Sequence, residues 1–167
     1  EPVSEGAPTL TVVKTAPAIA ANTAFVYSFV VSNDADAAGP ATVVNIADLP
    51  PVGITLNAAP AGGTCTAGGA AAVFPVVGDG TVVVECAIAL TPALQPGEER
   101  TITWSATADV TTIGSTPVNH ASYNPDGSEN PPEPGENCTP AESCTSGTPD
   151  EPVSEGAPTL TVVKTAP

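Results

Sequence analysis

Residues 1–17 read EPVSEGAPTLTVVKTAP, and residues 151–167 repeat them letter for letter. The period is 151 − 1 = 150 residues, so the chain holds one full unit and the opening of a second. A unit of that size can build one domain with its own core. It must also hand the chain on to a copy of itself. Such head-to-tail contacts do not close, so they build a fibre or a stalk.

Within the unit the apolar pattern has a period of two. From Thr101 to Val110 the residues Ile102, Trp104, Ala106, Ala108 and Val110 share one face, and Thr101, Thr103, Ser105, Thr107 and Asp109 the other. Thr81–Ile88 alternates likewise, with Val82, Val84, Cys86 and Ile88 together, and Ala24–Val31 places Phe25, Tyr27, Phe29 and Val31 together. Weaker strand signals lie at 9–14, 41–47, 71–77 and 118–123. Turn signals separate them, among them Asn33-Asp34, Gly39-Pro40, Gly78-Asp79-Gly80 and Pro96-Gly97. No helical period is visible. The expectation is an all-β fold: an immunoglobulin-like β-sandwich of about seven strands over residues 8–123, preceded by a short linker, 1–7.

After Tyr123 the composition changes. Between 124 and 157 the acids Asp126, Glu129, Glu133, Glu136, Glu142, Asp150, Glu151 and Glu155 meet no base, and prolines recur. Little apolar surface, proline and like-charge repulsion predict an extended acidic connector, 124–157, followed by the first strand of the next repeat, 158–167.

The net charge of −15, with only three Lys and Arg, excludes nucleic acid as a partner and disfavours an anionic membrane surface. No apolar run is long enough to span a bilayer, and no signal peptide is present. Cys65, Cys86, Cys138 and Cys144 are even in number and lack zinc-type spacing. They predict two disulfides and an oxidising, extracellular or cell-surface location; a bridge within 138–144 would pin the connector. Intermolecular bonds are the alternative.

Lys14 shares strand parity with Leu10 and Val12, Asn119 with Ala121 and Tyr123, and Asp48 with Val44 and Ile46. A lysine turned to the core needs a partner. Two readings stay open. Lys14 and Asn119 form an isopeptide bond promoted by Asp48, because burial favours the neutral, nucleophilic amine. Or Lys14 reaches water from a strand end and pairs loosely with an acid. Asn124, Asp126, Ser128 and Glu129 offer a calcium site, with Asp34 and Asp36 a smaller cluster; the plain alternative is a solvated acidic loop. Calcium is the one cofactor considered. Asn137-Cys138-Thr139 fits the N-glycosylation pattern, so glycans are candidate attachments. His120 has the parity of the outer face, and no nucleophile elbow or phosphate loop is present, so no catalytic residue is assigned and an enzyme is not expected.

Several short motifs occur in a telling order. Asp48-Leu49-Pro50-Pro51-Val52-Gly53 closes a strand, Thr64-Cys65 follows, and Cys86 lies on a later strand. Leu94-Gln95-Pro96-Gly97-Glu98 precedes a strand, and Asn119-His120-Ala121 sits on the last one. Over about residues 8–123 this resembles the surface repeats called domain of unknown function 11, although Pro50 replaces a usual leucine. The resemblance implies an immunoglobulin-like sandwich in a tandem array at a bacterial or archaeal cell surface, without catalytic residues. The expected function is structural: a repeat unit of an extracellular filament or stalk, partnered by copies of itself. The units join either as one continuous chain or by donation of the strand at 9–14 to a neighbour's sheet edge. A surface adhesin or ligand-binding module is the alternative.

Overall fold

A computed structural model describes residues 6–156 and 163–164. Most of the predicted first strand of the next repeat, 158–167, and most of the linker lie outside the described residues. Among the described residues eleven strands form: β1 (Leu10–Thr15), β2 (Ala24–Asn33), β3 (Ala41–Leu49), β4 (Ile54–Leu56), β5 (Gly63–Ala67), β6 (Ala70–Ala71), β7 (Val76–Val77), β8 (Val84–Leu94), β9 (Glu99–Ala108), β10 (Asn119–Tyr123) and β11 (Cys144–Gly147). They make two antiparallel sheets, β1-β2-β9-β4-β7 and β11-β10-β3-β8-β5-β6. The pairing β1-β2-β9 against β11-β10-β3-β8 is that of an immunoglobulin-like sandwich.

The core follows from the alternation. Tyr27, Phe29 and Val31 of β2 and Ile102, Trp104, Ala106 and Ala108 of β9 face Val44 and Ile46 of β3 and Val84, Cys86 and Ile88 of β8, all buried. The register keeps each set on one face, Tyr27 opposite Trp104 and Phe29 opposite Ile102.

Three strand expectations need correction. The run in β9 stops at Ala108, because Asp109 caps a short 3-10 turn, and Val110 is exposed. The 71–77 signal divides between β6 and β7, which belong to different sheets. β8 starts at Val84, not Thr81, and runs on to Leu94. Of the additional strands, β4 and β5 are short, and β11 arises from the supposed connector.

That segment is the largest correction. Residues 124–156 do not extend away; they wrap the sandwich. Pro125 O accepts from Leu10 N, the Asn45 amide donates to Gly127 O at 3.0 Å, and Asn130 N donates to Glu85 Oε1 at 3.2 Å. The Ser122 hydroxyl donates to Pro132 O. β11 then pairs with β10, and Val153, 2% exposed, docks at the far end. Composition misled here because a few anchors hold an otherwise solvated segment; backbone pairing does not need apolar side chains.

Strand directions place the ends. Gly6–Thr9 lies by the Asn33–Gly39 turn at one end, and Val153–Gly156 lies by Ile19–Ala21 at the other. The chain therefore enters at one pole of the sandwich and leaves at the opposite pole.

Candidate functional site

β1 is the edge strand of one sheet and β11 the edge of the other, and the two edges meet. Lys14 N donates to Thr145 Oγ1 at 2.9 Å across that seam. Alternation turns the Lys14 side chain inward beside Leu10 and Val12, so it does not reach water; it is 3% exposed. The reading in which Lys14 snorkels to solvent is thereby corrected: β11 and Tyr27 close the route outward.

The ammonium donates to Asp48 Oδ2, forming a buried ion pair. It also lies 4.5 Å from the centre of the Tyr27 ring and 5.1 Å from that of Phe29. Asp48 is on β3 opposite Ala121 of β10, so Asn119, two residues earlier on the same face of β10, is its diagonal neighbour. Asn119 is fully buried; its Oδ1 and Nδ2 make no hydrogen bond of normal geometry, and neither does the Tyr27 hydroxyl beside it, close enough to act on it electrostatically. The other Asp48 oxygen, Oδ1, also lacks one.

Gly147 completes the enclosure. It is the register partner of Asn119, and a Cβ at this position would sit 3.2 Å from Lys14 Cγ and 3.2 Å from Tyr27 Cδ1. A larger residue here would make Lys14, Tyr27 or the Thr15 backbone give by a few tenths of an ångström, so glycine lets β11 lie closest. Lys14, Asp48, Asn119 and Tyr27 thus share one chamber, walled by both sheets and roofed by β11.

Burial sets the electrostatics. It lowers the Lys14 pKa from 10.5 to about 8, with the charge and hydrogen bond of Asp48 opposing. Near pH 7 roughly a tenth of such an amine is neutral. Burial also pushes the Tyr27 hydroxyl upward, helped by the Asp48 charge, while the adjacent Asn119 side chain pulls the other way. A neutral amine beside a carboxylate and an unpaired carboxamide has the chemistry of amide exchange.

The remaining sequence-selected residues fall elsewhere. Cys65 is bonded to Cys86, its direct cross-strand partner, with a Cα separation of 4.1 Å. Cys138 is bonded to Cys144 at the start of β11. The Asn124 amide donates to Ser128 O and Glu129 O, and Asp126 accepts from Ser128 N at 2.9 Å. The Ser128 hydrogen bonds hold the Asp126 carboxyl below its usual range. Those four residues close their own loop, and Asp34 does the same for Asp36. Among the described residues no group of three His, Cys, Asp or Glu side chains converges as for a metal. Asn137 is exposed, and the Thr139 hydroxyl of its sequon donates to Glu142. His120 is half-buried on the outer face of β10. No described helix is long and apolar enough to cross a membrane. Sequence parity selected Lys14, Asp48 and Asn119; it missed Tyr27 as a wall of the chamber and Gly147 as its roof, which no pattern in CTSG announces.

No protein-family model matches the chain, and no curated protein sequence matches it. Among solved structures, a non-cellulosomal cohesin from the hyperthermophilic archaeon Archaeoglobus fulgidus is similar at 10% identity and TM-score 0.46, covering 89% of this chain and 94% of that one. The Corynebacterium diphtheriae major pilin SpaA, whose structure points to a modular pilus assembly stabilizing isopeptide bonds, is similar at 17% identity and TM-score 0.42. Coverage is 76% of this chain and 33% of SpaA, so the chain spans a third of that pilin. BcpA, the major pilin subunit of Bacillus cereus, is similar at 13% identity and TM-score 0.41, over 85% of this chain and 40% of BcpA.

Proposed function

We propose that the chain is a load-bearing repeat unit of an extracellular filament or cell-surface stalk, locked by a self-formed amide between Lys14 and Asn119. The observation that carries the reading is the enclosure of Lys14, Asp48 and Asn119 together, with the Asn119 carboxamide buried and unpartnered. An orphaned buried amide costs on the order of 1–3 kcal/mol and calls for a reason. Condensation supplies one, because it joins that carboxamide and the neutral Lys14 amine in one secondary amide.

The step balances without an oxidant or co-reactant. The neutral Lys14 Nζ attacks Asn119 Cγ, and the Nζ–Cγ bond forms as Cγ–Nδ2 breaks. Asp48 accepts a proton from Nζ and returns it to the departing nitrogen, which leaves as ammonia. Tyr27 and β11 exclude water, which would otherwise compete as nucleophile.

The 17-residue segment repeated at a spacing of 150 and the two disulfides support the placement outside the cell. Entry and exit at opposite poles suit an array under tension. Intact mass of the native protein tests the crosslink: a deficit of one ammonia per unit, about 17 Da, is expected. A mass equal to the sequence mass, with both disulfides counted, refutes it.

A further inference from the structure

The repeated sequence puts both halves of the joint between units on view. Position 156 of one unit is position 6 of the next, since 156 − 150 = 6. At the exit pole two residues are clamped by four backbone hydrogen bonds. Val153 N donates to Ser115 O at 2.8 Å and Val153 O accepts from Gly114 N at 2.9 Å. Ser154 N donates to Ile19 O at 3.0 Å and Ser154 O accepts from Ala21 N at 2.9 Å. The Val153 side chain is a buried plug. At the entry pole Gly6 packs on Ala38 and Gly39 so tightly that a Cβ on either glycine would collide with the opposite backbone.

We infer that consecutive units pack pole against pole through this segment, so that the joint is a built interface and the partner is a second copy of the same repeat. The argument is one of reach. Ser154 is fixed to the lower unit, and the glycine two residues later is fixed to the upper one. Two residues span at most about 7 Å. The Ile19–Ala21 turn of one unit and the Ala38–Gly39 turn of the next must therefore lie in contact. The glycine between them has two walls. In its role as Gly156 a Cβ would sit 2.9 Å from Ala21 O of the lower unit, and as Gly6 it would strike Ala38 of the upper unit. Val110 and Ile113, 57% and 38% exposed, flank the exit clamp and would be covered by the incoming pole. The inference holds whether the copies are one continuous chain or separate subunits exchanging an arm, because the clamped residues are the same. It is independent of the Lys14 crosslink.

Two consecutive repeats in one chain, measured by small-angle X-ray scattering at about 0.15 M salt, test it; that ionic strength screens the acids on both poles. The wild-type profile is expected to fit a single rigid arrangement with the poles in contact. Insertion of Gly-Ser-Gly-Ser after Glu155 should lengthen and broaden the distance distribution, by up to about 14 Å. Gly156→Val should also lose the single arrangement. Melting of each unit and intact mass, read on the same samples, report the fold and the crosslink separately. A wild-type profile that requires freely oriented units, unchanged by the insertion, overturns the joint.

Discussion

Replacing Asn119 by alanine separates a crosslinked unit from one that merely buries three polar groups, because the two predict different results. An amide from Lys14 to Asn119 closes a loop of 119 − 14 = 105 residues. The Cys65–Cys86 bridge already removes 21 of these, leaving about 84. By the chain-entropy relation used for disulfides, closing a loop of that length stabilises the fold by roughly 4–5 kcal/mol. For a chain of this size each kcal/mol moves Tm by about 2–4 °C. Asn119→Ala should therefore lower Tm by about 10–20 °C and restore the full sequence mass apart from the substitution. Lys14→Met should lose the same crosslink, and the double variant should cost little more than either single one; non-additivity of that size is the signature of a shared bond. Without the amide, Asn119→Ala removes a carboxamide that has no partner, and stability should stay within about 1 kcal/mol or rise. Differential scanning calorimetry with intact mass on the same samples reads both. A near-neutral Asn119→Ala with no ammonia deficit in the wild type would refute the reasoning.

Crosslinking during refolding should accelerate about tenfold per pH unit below the Lys14 pKa of about 8 and level off above it, as the neutral amine saturates; time-resolved mass spectrometry checks this. In Asn119→Ala, Lys14 still titrates, and its folded pKa lies below the ordinary 10.5, so the unfolded chain holds more protons in between. Stability should then climb with pH from about 8 upward, with Tyr27, raised above 10.0, opposing at higher pH; the crosslinked wild type should lack the climb in urea titrations. Gly147→Val should wedge β11 off Lys14 and Tyr27, costing roughly 1–3 kcal/mol in chemical denaturation and slowing the ammonia loss. Cys65→Ser with Cys86→Ser should cost roughly 3 kcal/mol in the same assay yet leave the ammonia deficit intact, because the bridge supplies none of the three groups Lys14, Asp48 and Asn119.

The legible part of this fold is where side chains alternate against a core. β2 and β9 declare themselves through Tyr27, Phe29, Ile102 and Trp104, and the same parity turns Lys14, Asp48 and Asn119 inward. β4, Ile54–Leu56, is too short to carry a period, and β11, CTSG, has none. β11 exists because the edge of β10 offers unpaired backbone groups and Cys138–Cys144 tethers the segment that fills them. The acidic, proline-rich composition of 124–156 describes its solvent-facing side correctly. It is silent about Gly147 and Val153, the positions that anchor it. Nor does parity reveal that the Asn119 carboxamide goes unpartnered, which depends on the packing of four strands at once.

The location of the proposed amide bears on how a unit would carry tension. Under the proposed load-bearing role, tension would enter near Gly6 and leave near Gly156, reaching β1 first and the 124–156 wrap last. With Lys14 joined to Asn119, the path runs from β1 directly into β10 and bypasses everything between. The whole of β2 to β9, including the Cys65–Cys86 bridge, would then lie in a slack loop that force could not pull out, and that disulfide would add thermal stability without adding strength. What tension can still peel is the wrap beyond Asn119, less the loop held by Cys138–Cys144. β11 lies in that portion and roofs the chamber, so its release would expose the amide to water without breaking it. With the proposed amide in place, the wrap would be an extensible section in series with a locked sandwich, and a unit would lengthen under load while its core stays folded.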